Sequence, residues 1–98
     1  MATDVEIHGS CDARFHRVRE RFQSAFESGA EVGAAVSLVV DSQCVVDLWA
    51  GHRDGARTHP WERDTLVNVF STTKGMTALC AHHLVDRGQL DLDAPVAH

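Results

Sequence analysis

Tyrosine is missing from this 98-residue chain, lysine occurs once, and proline only twice. Glycine is equally ordinary at seven residues, so neither a collagen repeat nor a low-complexity linker is present. No internal repeat recurs along the chain, which excludes a solenoid. The longest apolar stretch, Val32–Val40, is far short of the roughly 20 residues a membrane helix needs. No membrane partner is expected. Basic surplus is also lacking: the formal charge is −5, and nucleic-acid binding demands a concentrated basic surface. Arg14, Arg17, Arg19 and Arg21 do cluster, but Glu20 and Glu27 dilute them into a solvated helix face. The three cysteines, Cys11, Cys44 and Cys80, are odd in number and widely spaced. They read as reduced, mostly buried thiols rather than a disulfide framework. The first six residues offer neither a basic nor an apolar leader region, so the expected location is the cytoplasm.

What is present is an ordinary globular composition, 44% apolar and 23% charged, long enough for one small domain at most. Residues 1–10 read as a loose arm. From about 12 to 28, Phe15, Val18, Phe22 and Phe26 recur at steps of three and four, which predicts an amphipathic helix. Asp12 or Ser10 would cap its start, and Gly29 lies just past its end. The β-branched runs 33–40 and 44–50, separated by Asp41-Ser42-Gln43, predict a hairpin with a three-residue loop. Both runs are too apolar for a sheet with one wet face, so cover on both sides is expected. Residues 51–64, with Gly51, Gly55 and Pro60 among charges, read as a long surface loop. A second helix is predicted from about 71 to 87, with Met76, Leu79, Cys80, Leu84 and Val85 on its apolar side and Gly88 as its stop. Leu90 to Pro95 then runs extended into a turn. The fold class is α/β (α+β in some schemes), in the order helix, β-hairpin, helix.

Ser71-Thr72-Thr73-Lys74 is the one arrangement that could do nucleophilic chemistry. At a helix start, residues three apart share a face, so the amine can reach the hydroxyl. A serine hydroxyl attacks poorly until a base removes its proton. Arginine cannot serve as that base, whereas lysine can once its pKa is lowered. Of the nine basic residues only Lys74 is lysine, and a serine three places before it arises by chance about 6% of the time, judged from simple frequency. The residues alone leave two readings open: a nucleophile–base pair, or a capping serine beside a surface lysine.

The wider sequence resembles a known family. Val67-Asn-Val-Phe-Ser-Thr-Thr-Lys-Gly-Met-Thr-Ala-Leu-Cys-Ala81, followed by Leu84-Val-Asp-Arg-Gly-Gln-Leu-Asp-Leu-Asp-Ala-Pro-Val96, is similar to β-lactamase-related serine hydrolases. In particular it resembles their esterase branch, the family VIII carboxylesterases. The likeness extends over roughly residues 33–98. It implies the amino-terminal part of a β-lactamase/penicillin-binding-protein-like fold, with residues 1–98 as one segment of a single hydrolase domain. It further implies Ser71 as the acyl-forming nucleophile, its backbone N–H as one oxyanion donor, and Lys74 as the group that helps deprotonate it. The substrate would be a small ester or amide, with short-chain esters favoured. β-Lactams or D-amino-acid peptides are the alternatives within the superfamily. No metal or organic cofactor is implied. The family also uses a tyrosine in a Tyr-x-Asn or Tyr-x-Ser pair and a late Lys/His/Trp-x-Gly strand, and this sequence has no tyrosine. The expectation is therefore a piece of a larger enzyme. The contrasting class is an inactive fragment or interaction module that self-associates through open strand edges or takes up a complementary chain.

Other candidates carry less. His82 and His83 are adjacent and diverge by about 100° on a helix, so they cannot share one ion. His52 and His59 sit in a loop without a zinc-ligand frame. Trp49 reads as strand packing and Trp61 as a loop aromatic close to the motif. Asp86, Arg87, Asp91 and Asp93 read as solvated helix ends and turn residues.

Overall fold

The structure, a computed structural model, describes residues 4–97 and divides into two units, one up to Leu66 and one from Val67 onward. The first unit contains β1 (Ile7–Cys11), a 3-10 turn (Ala13–Phe15), α1 (His16–Glu27), β2 (Gly33–Val40) and β3 (Gln43–Gly51). The second contains a 3-10 turn (Phe70–Thr72) running into α2 (Thr73–Asp86). The mixed helix and antiparallel-sheet architecture is the one expected, with one strand more than the sequence led us to place.

That strand corrects the reading of residues 1–10 as a loose arm. β1 pairs antiparallel with β3 from Ile7↔Ala50 to Cys11↔Val46, and the sheet order is β1-β3-β2. Its polar His-Gly-Ser centre hides the strand, because its pairing comes from β3's backbone rather than from an apolar pattern of its own. Gly9 makes the approach feasible. It sits at φ +102°, and a Cβ there would lie 1.9 Å from the Asp47 carbonyl oxygen and 2.8 Å from the Trp49 ring. Residues 1–3, also in the supposed arm, lie outside the described residues.

The hairpin is present, but its loop is shorter than expected. β2 ends at Val40 and β3 begins at Gln43, leaving two turn residues, Asp41 (φ 49°) and Ser42 (φ 64°). Two consecutive positive φ values are what a two-residue connection needs to match the strands' twist. The register slips between Leu38 and Val39, because Leu38 faces Val46 while Val39 faces Cys44. Val45 is thus the extra residue of a β-bulge on β3. The bulge lets consecutive residues Val45 (5% exposed) and Val46 (0%) both enter the core.

Alternation along the remainder of β3 places Leu48 and Ala50, both fully buried, on the same face. α1 covers that face. Phe15, Val18 and Phe22 pack on Val45, Val46 and Leu48 together with Ile7, Val36, Leu38 and Val40. Phe26 is buried and meets Phe22 edge-on at 5.2 Å between ring centres. The three-and-four spacing of aromatics in the sequence is this contact. Neither proposed residue caps α1 itself, whose N-cap position is Phe15 with no side-chain cap. Asp12 instead caps the preceding 3-10 turn, its carboxylate accepting from the Arg14 N–H at 2.9 Å and from the Arg14 guanidinium at 3.1 Å. Gly29, at φ +76°, ends the helix as expected.

The face of the sheet away from α1 carries Ala35, Ser37 and Val39, all exposed, beside half-buried Asp47 and Trp49. The bulge turns Cys44 toward this side, where its Sγ lies 4.0 Å from Ser37 Oγ. The expectation of mostly buried thiols therefore fails. Cys11 is half-buried, Cys44 and Cys80 are exposed, and all three are free.

The loop after β3 is organised around one carboxylate. Asp54 accepts hydrogen bonds from the Thr58 hydroxyl, the Thr58 N–H at 3.0 Å and the His59 N–H at 2.9 Å. Led by the Thr58 hydroxyl, these donors hold the Asp54 carboxyl well below the usual carboxylate range. A bridge between His52 and Pro60 and a bond from Trp61 N–H to Gly51 O (2.8 Å) close the loop.

In the second unit, α2 ends as anticipated at Gly88 (φ +72°), whose neighbour Gln89 donates to Leu84 O at 2.9 Å. Asp91 closes a turn onto Ala94 N–H at 3.3 Å. The supposed apolar side of α2 is not buried as a stripe. Met76, Leu79 and Leu84 are exposed, and only Ala81 and Val85 are half-buried.

Two outcomes follow. Gly9→Ala should lower the unfolding free energy by about 2 kcal/mol, because its Cβ has no space and its φ is unfavourable; a urea denaturation series with an unchanged midpoint would refute the close approach. The Asp54 interactions, made to a carboxylate whose folded pKa is lowered, are complete above about pH 4 and lost as the pH falls further. Hydrogen exchange at the Thr58 and His59 amides should therefore lose protection in acid before the β3 amides do.

Candidate active site

The segment Val67–Phe70 enters α2 through a sharp turn. Asn68 Oδ1 accepts from the Phe70 N–H at 3.2 Å, and Val69 O accepts from the Thr72 N–H at 3.1 Å. Between them Phe70 adopts φ +47°. The left-handed region is rarely entered by a bulky L residue and carries a cost on the order of 1–3 kcal/mol. Phe70 gains little burial in return, since it remains 78% exposed. Its conformation instead fixes the direction in which the chain leaves the turn, and Ser71 is the next residue.

Ser71 lies in the 3-10 turn and Lys74 is the second residue of α2. The helix therefore starts slightly later than the sequence indicated, and its first turn is tighter. Thr72 and Thr73 are both right-handed helical, so Ser71 and Lys74 stand one turn apart at the helix start. Both side chains are exposed, and among the described residues no hydrogen bond joins them. The Thr73 N–H is taken up by Phe70 O and Ser71 O, whereas among the described residues the Ser71 N–H has no partner. Unpaired first-turn N–H groups and the positive end of the helix dipole favour a developing negative charge at this point. Chemically, the turn presents a hydroxyl, a primary amine and a backbone N–H without a partner among the described residues, all within one helical turn.

The strained Phe70 was not legible in the sequence, because phenylalanine gives no signal for a left-handed residue. Asn68 was the available hint, since asparagine side chains often bond the backbone two residues on.

The remaining candidates fall elsewhere. His8 stacks on Trp49 with ring centres 6.2 Å apart, on the sheet face away from α1. Trp61 is half-buried, and the edge of its indole packs over Gly33. His82 and His83 are exposed on α2, and among the described residues no group of three potential ligands is placed to hold a metal ion.

Known proteins are similar to this chain in sequence and backbone. The family model for beta-lactamase matches residues 18–98. The esterase/beta-lactamase LipL of Mycobacterium tuberculosis is 45% identical over 91 residues, covering 93% of this chain and 21% of that protein. Esterase EstB of Burkholderia gladioli is 35% identical over 75 residues, covering 76% of this chain and 19% of its own length. The crystal structure of a family VIII carboxylesterase superposes with a TM-score of 0.87 at 47% identity, over 94% of this chain and 25% of that one. A penicillin-binding protein homologue from Caulobacter crescentus gives 0.84 at 43% identity, over 90% and 24%. The chain thus spans about a fifth to a quarter of the relatives it matches. Sequence match and backbone agree, and the chain belongs to the β-lactamase family.

Proposed function

We propose that this chain carries the nucleophilic end of a serine hydrolase that works through an acyl-enzyme. The observation that carries this reading is the turn at Phe70, which sets Ser71 at the start of α2 one helical turn from the chain's sole lysine. Ser71 Oγ attacks the substrate carbonyl as its proton passes to Lys74 Nζ. The Ser71 N–H donates to the oxyanion that forms. Collapse expels the leaving alcohol, which takes up a proton, and water then attacks the acyl-serine to release the acid. A lysine can take the serine proton only where its own is held loosely, which calls for an enclosed or positively charged setting. No metal or organic cofactor has a role in these steps. A Tyr-x-Asn or Tyr-x-Ser pair and a second oxyanion donor would have to come from polypeptide beyond this sequence, which has no tyrosine.

Short-chain esters are the favoured substrates, because the similar proteins EstB and the family VIII carboxylesterase are named for ester hydrolysis. A second reading, β-lactam acylation, draws support from the double name of LipL and from the penicillin-binding protein homologue. The three free thiols suit a reducing compartment, and we place the protein in the cytoplasm.

A fluorophosphonate probe applied to the protein from its natural source, followed by intact mass analysis, should show one adduct, at Ser71. Ser71→Ala should abolish it. Lys74→Arg, which keeps the charge but cannot accept the proton, should slow labelling by about 100-fold or more. Full labelling in Lys74→Arg would remove lysine from the role of base, and an unlabelled Ser71 in the natural protein would remove the serine.

A further inference from the structure

The peptide unit that joins Val69 to Phe70 is held at both of its polar groups. Its carbonyl accepts from the Thr72 N–H at 3.1 Å, and its N–H donates to Asn68 Oδ1 at 3.2 Å. A peptide unit is planar and turns as one piece, so its rotation changes ψ of the residue before it and φ of the residue after it in opposite senses. Val69 stands at φ −105°, ψ 4°, and Phe70 at φ 47°. Swinging the unit by about 120° would carry Val69 into the extended region and return Phe70 to negative φ, both common for L residues. The strain at Phe70 thus has an easy local escape, and the two hydrogen bonds oppose it. Both are made inside the segment Asn68–Thr72. Ser71 follows directly, so the directions of its N–H and its Oγ depend on the φ of Phe70.

We propose that Asn68 is a positioning residue for the nucleophile: its carboxamide locks the Val69–Phe70 peptide in the orientation that the left-handed Phe70 requires. The inference rests on the reading of Ser71 as the acyl-forming serine. Asn68 touches neither substrate nor reacting atoms in this role and acts through Phe70 alone. Asparagine suits the task because its short amide reaches the backbone N–H two residues on. Being uncharged, it also sets no negative charge beside the place where the oxyanion develops. A serine hydroxyl would make the same bond more weakly, and an alanine would leave the Thr72 bond to hold the unit unaided. Once the lock is undone Phe70 relaxes, and the Ser71 N–H and Oγ leave the direction set for attack. Glycine at position 70 would remove the need for the lock, since it takes positive φ at no steric cost.

The test uses the full-length enzyme with a fluorophosphonate and with p-nitrophenyl acetate. The endpoint of labelling counts the competent Ser71 sites, and the labelling rate and kcat are then expressed per site. Asn68→Ala should keep the full endpoint yet label about tenfold more slowly, and its kcat for the ester should fall by the same factor with little change in KM. Asn68→Ser should lose about threefold, and it carries the test if Asn68→Ala does not fold. In a Phe70→Gly background, adding Asn68→Ala should cost no more than about threefold relative to Phe70→Gly alone. An unchanged rate per site in Asn68→Ala and Asn68→Ser, or a loss confined to the endpoint, would overturn the proposal, the latter in favour of a role in folding only. An equal tenfold loss in the Phe70→Gly background would overturn it as well. A wild-type enzyme that takes no label at Ser71 would instead refute the hydrolase reading, and this inference with it, before any variant is compared.

Discussion

The first unit depends on the burial of one strand. β3 is hydrogen-bonded on both sides and lends Val45, Val46, Leu48 and Ala50 to the core, and α1, β1 and β2 each take their place by contact with it. Three of these residues follow from the simple alternation of a strand, and the fourth is gained by the bulge at Val45. Burying a side chain of this size contributes roughly 1.5–3 kcal/mol, so the extra valine matters in a domain whose whole stability is small. The same bulge turns Cys44 outward. One irregularity thus explains both a gain in the core and an exposed thiol.

The turn at Phe70 represents the opposite balance. There the chain accepts an unfavourable backbone conformation without burying the residue that adopts it. Strain kept at a position with no packing benefit is the pattern found where geometry serves chemistry. The first unit offers no parallel among its positive-φ residues, since Asp41, Ser42 and Arg57 all lie in tight turns where polar residues tolerate such angles.

The sequence made α1, the hairpin and α2 legible because each carries its own periodicity: aromatics at three and four, β-branched runs, and a glycine stop. β1 escaped because its stabilising partners are some forty residues away, and Gly9 reads as a loop residue when its real role is to let two backbones meet. The two-residue turn was misjudged by one position because Gln43, polar in type, is already paired with Val40. Ser71 and Lys74 stood out through composition, as a serine placed before the sole lysine, and through resemblance to a family. The conformation of Phe70 could not be read, because no local preference of phenylalanine points to it.

The pairing of Ile7 with Ala50 has a bearing on how the chain acquires its shape. The β2–β3 hairpin closes over two residues and can form on its own within microseconds. β1 leaves the ribosome first but can find its place only after β3 has been made, about forty residues later, which at 5–20 residues per second is a delay of a few seconds. During that interval Ile7 and Cys11 have neither a strand to pair with nor a core to join. Within the first unit β1 is therefore made first yet docks no earlier than the strand it pairs with, so its place in the sheet is set by residues synthesised long after it.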